Sequence, residues 1–125
     1  MLTDKTLLSG TLPPELGVLP SLKKIIMNDC SLHGTLPSEI GRLEQLTGLD
    51  LANNQLDHKF PSPNRIEGPI PSEIGRLSQL TWLDLRHNEL TSVPTEIGDL
   101  KQLMHLCLGN NSLTSEVPAD IGECS

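Results

Sequence analysis

The chain has 125 residues, a formal net charge of −7, and only one Trp and one Phe as aromatic residues. A chain of this length forms one domain at most, and its core must be built from aliphatic side chains. The negative charge disfavours nucleic acids and anionic membrane surfaces as partners, because both require clustered Lys and Arg. No run of about 18 apolar residues occurs, so no membrane-spanning segment is predicted.

A leucine pattern, Leu-x-x-Leu-x-Leu-x-x-Asn-x-Leu, recurs along the chain. Its copies begin at Leu22, Leu46, Leu80 and Leu103. The first copy is divergent and has a cysteine in place of the asparagine. A period of this kind is typical of a solenoid, in which each turn buries its leucines only against the neighbouring turns.

The middle of each copy is predicted to be a short strand, because side chains alternate between the two faces. In the copy TWLDLRHN, Leu83 and Leu85 point inward, whereas Trp82, Asp84 and Arg86 point outward. Stacked turns then give a parallel sheet on one side of the solenoid.

The second half of each turn also repeats. The segment PSEIGRL occurs at 37–43 and again at 71–77, and related segments occur at 13–19, 94–100 and 118–124. We predict one helical turn here, with Ser38 and Ser72 as N-caps and Gly41 and Gly75 as helix stops.

These features resemble the leucine-rich repeat family, specifically its plant-type subclass. The resemblance is carried by Gly34-Thr35-Leu36-Pro37 with Ile40-Gly41 and by Gly68-Pro69-Ile70-Pro71 with Ile74-Gly75. It implies an α/β solenoid, a right-handed array with a parallel sheet on the concave side and short helical or 3₁₀ turns on the convex side. It also implies similarity to receptor-like kinase ectodomains and to secreted inhibitors of wall-degrading enzymes.

One position of the repeat is predicted to form a structural ladder of buried polar side chains. It is occupied by Cys30, Asn54, Asn88 and Asn111. A buried amide left unpaired costs about 1–3 kcal/mol, so these asparagines are expected to bond to adjacent loop backbone.

We predict a single domain, residues 1–125, of about four full repeats and a partial one, with no clear caps. The interval from Leu46 to Leu80 is longer than the others, which indicates an insertion loop at 57–66. Two registers satisfy the pattern: either Leu56 is in the core and residues 57–66 bulge outward, or Ile66 is in the core. The position of Asn54 favours the first.

Three cysteines do not make the disulfide framework of a secreted protein. Cys107 is predicted to point outward and Cys124 to lie in the core. The first residues, MLTDKTLLSG, lack the pattern of a signal peptide, so the compartment stays open. The resemblance favours an extracellular location if the chain is a fragment. The sequon Asn110-Asn111-Ser112 makes Asn110 a possible glycosylation site.

The outward strand positions are the candidate partner-binding face. Aromatic and Arg side chains are typical binding hot spots, and carboxylates can select a basic group. The predicted set is Asp50, Trp82, Asp84, Arg86, His87 and His105.

We expect no catalytic residues, metal site or cofactor, since ligand pairs close in sequence and phosphate-binding loops do not occur. The function that we predict is a non-catalytic module that binds a protein or peptide on its concave strands. The alternative is a structural segment that self-associates through its uncapped ends.

Overall fold

The structure is a computed structural model that describes residues 10–27, 32–52, 65–114 and 123–124. The chain alternates short strands with 3₁₀ helices. The strands are β1 (Gly10–Thr11), β2 (Lys24–Ile26), β3 (Leu32–Thr35), β4 (Gly48–Asp50), β5 (Arg65–Pro69), β6 (Trp82–Asp84), β7 (Glu89–Ser92), β8 (His105–Cys107) and β9 (Glu123–Cys124). The 3₁₀ helices are η1 (Pro14–Val18), η2 (Ser38–Arg42), η3 (Ser72–Arg76) and η4 (Thr95–Asp99).

The predicted parallel sheet is confirmed. Strands β2, β4, β6, β8 and β9 pair in that order, and every pair is parallel. The register aligns Leu49 with Leu83 and Leu83 with Leu106, so equivalent leucines of successive turns stack on one another.

A second parallel sheet, β1-β3-β5-β7, was not predicted. It is formed by the segments that precede the proline of each 3₁₀ helix, and β1, β3 and β5 carry the glycine of a Gly-x-x-Pro step whereas β7 does not. The same turn-to-turn spacing of about 4.8 Å that pairs the first strands also brings these segments within hydrogen-bonding distance.

The core between the two sheets and the 3₁₀ helices is aliphatic. Leu49, Leu83 and Leu85 are each 0% exposed, and Leu108 is 1% exposed. The inward direction predicted for the Leu-x-Leu residues is therefore confirmed.

The convex turns are helical as predicted, but their ends differ from the prediction. Pro37 is the N-cap of η2, with φ −72°, and no side chain caps this helix. The Ser38 hydroxyl instead donates to the Glu39 carboxylate at 3.2 Å. Gly41 lies within η2 rather than ending it, and Leu43 is the C-cap. A Cβ at Gly41 would lie 2.7 Å from the Glu73 carbonyl oxygen. This glycine permits close packing of one turn on the next.

The asparagine ladder is observed at Asn88 and Asn111. The Asn88 amide donates to Leu51 O at 3.0 Å and Leu85 O at 3.1 Å, while its oxygen accepts from Ile66 N at 3.0 Å. Asn111 makes the same type of bonds one turn later. Cys30 and Asn54 lie outside the described residues.

The favoured register of the insertion is wrong at its C-terminal end. Arg65 begins β5, and Ile66 is 1% exposed in the core rather than in a bulge. The physical reason is that the Ile66 backbone N–H donates the ladder bond to the Asn88 oxygen, as the Leu90 N–H donates to the Asn111 oxygen. Residues 53–64, including Leu56, lie outside the described part of the chain.

Cys107 lies in the outward column predicted for it, in register with Asp84, but it is not exposed. This residue is 0% exposed and disulfide-bonded. The register of β8 and β9 places Cys124 beside it in the sheet, at a position that alternation along one strand could not reveal.

Candidate functional site

One row of outward residues crosses the concave sheet at the start of its strands. The register of β2, β4, β6 and β8 aligns Lys24, Gly48, Trp82 and His105 side by side. Trp82 is 41% exposed, and its ring lies against that of His105 with centroids 4.5 Å apart and planes at 45°. The structure therefore brings together these two residues, both predicted for the site.

Gly48 leaves a gap in this row between Lys24 and Trp82. The gap opens into a recess of about 380 Å³ on the concave face. Its lining residues are Lys24, Ile26, Thr47, Gly48, Leu49, Asp50, Thr81 and Trp82. A volume of this size lies at the lower end of the range for ligand sites in proteins.

Two threonines fix the rim of the recess. The Thr47 hydroxyl donates to Lys23 O at 3.0 Å, and the Thr81 hydroxyl donates to Thr47 O at 3.0 Å. Met104 occupies the next equivalent position and is 72% exposed, so it adds apolar surface beside His105.

Asp84 does not lie open on the concave face as predicted, since it is 1% exposed. Its carboxylate accepts from Arg86 Nε at 3.0 Å, from Arg86 Nη2 at 2.8 Å and from Arg86 N at 3.2 Å. The two side-chain hydrogen bonds from Arg86 pair the Asp84 carboxylate, which was expected to select a basic group of a partner. Strand alternation predicted the outward direction of Asp84 but not its cover by a side chain two residues later.

Arg86 is partly exposed beside this carboxylate. The hydrogen bond from its side chain to Asp84 raises the pKa of the Arg86 guanidinium above its usual value, against the effect of burial, with a smaller contribution from the charge of Asp50. Arg86 therefore stays charged and oriented. Asp50 accepts from Ala52 N at 3.1 Å, which holds its carboxylate at the end of β4 beside the recess.

His87 lies at the rim of the face rather than in the row of Trp82. It has a φ of 58°, and the equivalent Asn110 has a φ of 55°. The Asn110 amide nitrogen lies 3.4 Å from His87 Nε2, and both side chains are exposed. Exposure leaves Asn110 accessible to modification, and its glycosylation stays a prediction.

Within the ranges that the structure describes, no group of three or more His, Cys, Asp or Glu side chains is arranged to hold a metal ion. In the same ranges, no helix has the length and apolar character needed to cross a bilayer. Val18 and Leu19 are 69% and 48% exposed at the N-terminal edge of the described solenoid. Self-association through the ends stays a prediction.

Family models match most of the sequence. A model described as "Leucine rich repeat" matches residues 64–121, and another described as "Leucine Rich Repeat" matches residues 21–43 and 45–77. The chain belongs to the leucine-rich repeat family. No curated protein sequence matches it significantly.

Solved structures show where similar leucine-rich repeats occur. The chain is 40% identical to the ectodomain of the plant membrane receptor kinase GASSHO1/SCHENGEN3 from Arabidopsis thaliana, solved in complex with CASPARIAN STRIP INTEGRITY FACTOR 2, with a TM-score of 0.73 over 88% of this chain and 12% of that one. It is 34% identical to the plant peptide hormone receptor RGFR1 in complex with RGF2, with a TM-score of 0.77, covering 89% of this chain and 16% of the receptor. It is also 32% identical to a plant ice-binding protein, with a TM-score of 0.74, covering 90% of this chain and 34% of that protein.

These neighbours support the plant-type subclass of leucine-rich repeats that the Gly-x-Ile-Pro steps indicated. The chain spans only 12%, 16% and 34% of the lengths of these three structures.

Gly48 and Lys24 also line the recess, although neither was predicted as a binding residue. A glycine at an outward strand position between large side chains is the signal that could have identified the recess. Its significance depends on the side chains of the two flanking strands, which lie 24 and 34 positions away in the chain.

Proposed function

We propose that this chain is a non-catalytic binding module that holds a protein or peptide segment on its concave sheet. The observation that carries the proposal is Trp82, a large aromatic side chain that is 41% exposed in the middle of this face. Aromatic side chains that combine a rigid body with partial exposure are enriched among the residues that dominate binding energy.

The polar groups around Trp82 support a binding role. Asp84 and Arg86 are held by each other through two side-chain hydrogen bonds, so their conformations are fixed before any partner arrives. A surface that is ordered in advance loses less conformational entropy on binding. The Arg86 guanidinium keeps donor groups that an acceptor on a partner can use.

The neighbours support partners of this kind. One similar structure is a receptor ectodomain bound to CASPARIAN STRIP INTEGRITY FACTOR 2, and another is a peptide hormone receptor bound to RGF2. By this similarity we infer a protein or peptide ligand for the present chain, with no cofactor and no catalytic step. We expect nucleic acids to be excluded, because the net charge is −7.

The disulfide at Cys107 supports an extracellular location. Structural disulfides form in secreted proteins and on cell surfaces and are rare in reducing compartments. The similarity to plant membrane receptor ectodomains favours the same location. Attachment of a glycan to Asn110 in a plant secretory system would agree with it.

The role of the concave face can be tested with peptides selected on the intact chain. A displayed library of random linear peptides is enriched on the wild-type chain, and the enriched peptides are titrated against Trp82→Ala. We expect the variant to bind more than about fivefold more weakly, since loss of a central aromatic anchor costs more than about 1 kcal/mol.

Glu39→Ala is the matched control. Glu39 lies in η2 on the convex side, and the alanine keeps the Cβ that packs near Gly17. We expect the selected peptides to bind this variant as they bind the wild-type chain. Equal losses in both variants, or a loss only in Glu39→Ala, would move the site away from the concave sheet.

A further inference from the structure

The gap at Gly48 has the dimensions of one missing side chain in an ordered row. Neighbouring strands lie about 4.8 Å apart, so a group in the place of a Gly48 side chain would be about one strand spacing from both Lys24 and Trp82. The next step in the row shows what this spacing permits, because the rings of Trp82 and His105 have centroids 4.5 Å apart. A flat ring therefore fits between Lys24 and Trp82, with about one strand spacing on each side of it.

Both walls of the gap favour an aromatic ring over other apolar groups. Stacked or tilted aromatic pairs have centroid separations of about 4.5–7 Å, which one strand spacing satisfies on the Trp82 side. An ammonium group within about 6 Å of a ring is attracted by the negative face of the ring, and Lys24 is exposed on the other side. The buried Leu49 and the partly exposed Ile26 complete an apolar floor and side.

A basic side chain fits this recess less well. The Asp50 carboxylate lines one end of it and would attract a cation. Lys24 lines the same recess and would repel that cation, which offsets the attraction by Asp50. A neutral ring meets no such repulsion.

We propose that the recess at Gly48 is a subsite for one aromatic side chain of an extended peptide, which extends the His105–Trp82 pair to a third ring and ends against Lys24. This proposal rests on the proposed function of the concave face. It adds the chemical class of the side chain that the face selects.

Trp82 is itself the reporter for the test. The chain has one Trp and no Tyr. Fluorescence excited at wavelengths longer than phenylalanine absorbs therefore comes from Trp82 alone, which is one wall of the recess. The probes are acetyl-Gly-Gly-Xaa-Gly-Gly-amide peptides in which Xaa is phenylalanine, cyclohexylalanine or arginine. We expect a saturable change with the phenylalanine peptide, with an affinity about fivefold or more above that of either other peptide.

Gly48→Val tests the site without removing a wall. The added Cβ would lie 3.6 Å from Lys24 Cγ, which is an ordinary contact, and valine is favoured in strands. We expect unchanged or higher thermal stability and no saturable response to the phenylalanine peptide. Gly109→Val is the control, because Gly109 lies outside the recess and, among the described residues, a Cβ there approaches only Arg86 Cγ, at 4.0 Å.

Lys24 gives a second pair of variants. We expect Lys24→Met, which keeps an apolar stem, to lose the preference for phenylalanine over cyclohexylalanine, and Lys24→Arg to keep it. No saturable change up to about 10 mM peptide, equal binding of the saturated ring, or undiminished binding to Gly48→Val would overturn the aromatic subsite.

The peptides selected from the library separate this proposal from the one on which it rests. If they lose affinity for Trp82→Ala but bind Gly48→Val as they bind the wild-type chain, the concave face binds and the aromatic subsite is wrong. If they bind Trp82→Ala without loss, the proposed function itself is wrong.

Discussion

The buried polar side chains among the described residues are held by hydrogen bonds to a neighbouring turn or within their own turn. Asn88 is 7% exposed, and its amide group spans from the loop after β4 to the strand β5. Asp84 is 1% exposed, and its partner is Arg86 of the same turn. Burial of a polar group is tolerated in both cases because hydrogen bonds replace those to water.

Replacement of Asn88 by alanine should lower the free energy of unfolding by about 1–3 kcal/mol. The reason is that Leu51 O, Leu85 O and Ile66 N each lose a hydrogen bond at a buried position, where water does not replace it. Chemical denaturation followed by circular dichroism measures the change.

Asn110→Gly is the comparison for this variant. Asn110 is exposed, and glycine tolerates its φ of 55°. Its stability should differ from that of the wild-type chain by less than about 0.5 kcal/mol. An equal loss in the two variants would mean that the ladder bonds of Asn88 do not stabilise the fold.

The convex 3₁₀ helices pack at a distance set by their glycines. A Cβ at Gly41 would lie 2.7 Å from Glu73 O and 2.8 Å from the Glu73 Cβ, and the corresponding distance from Gly75 to Glu96 O is 2.8 Å. Around Gly98, one turn later in η4, no atom of the described residues lies within 4 Å of a virtual Cβ. A Cβ at the equivalent Gly17 of η1 would lie 3.0 Å from Glu39 O, so among the described residues this position is constrained in three helices and unhindered in the fourth.

Gly41→Ala should therefore destabilise the fold by about 1–3 kcal/mol, because the backbone of η3 must move to admit a methyl group. Gly98→Ala adds the same methyl group where no atom of the described residues lies within 4 Å, and it should be neutral or slightly stabilising, by up to about 1 kcal/mol. Thermal unfolding of the pair decides the point. Similar losses of stability in both variants would mean that glycine is required for its backbone conformation and not for close packing.

At the scale of the whole molecule, stability is distributed over the interfaces between turns. Each turn of a solenoid contacts only its neighbours, so an interior turn contributes to two interfaces. Leu85 is 0% exposed between the turns that contain β4 and β8, whereas Leu22 at the first described turn is only partly buried.

Leu85→Ala should lower the free energy of unfolding by about 2–5 kcal/mol, which is a large part of the total for a domain of this size. Leu22→Ala makes the same chemical change and should cost clearly less, because its side chain has fewer packed neighbours. Urea denaturation measures both. A larger effect at Leu22 would contradict a stack whose interior turns are its most tightly packed part.

The sequence by itself determined the repeat, the direction of each core leucine and the parallel sheet. These follow from the spacing of residues within one turn, such as Leu83 and Leu85, which alternation assigns to the interior. The positions of Asn88 and Asn111 were predictable for the same reason, since their partners are backbone atoms that every turn supplies.

Only the tertiary structure decided the properties that depend on which side chains meet across turns. It showed that Ile66 occupies the core position, that Asp84 is covered by Arg86, that Cys107 is disulfide-bonded, and that Gly48 opens a recess. Each of these depends on contacts between side chains in three dimensions, or on a choice between two registers that satisfy the same pattern. Periodicity along the chain specifies the face to which a residue belongs. Whether its side chain on that face is covered or exposed is decided by the side chains of the neighbouring turns.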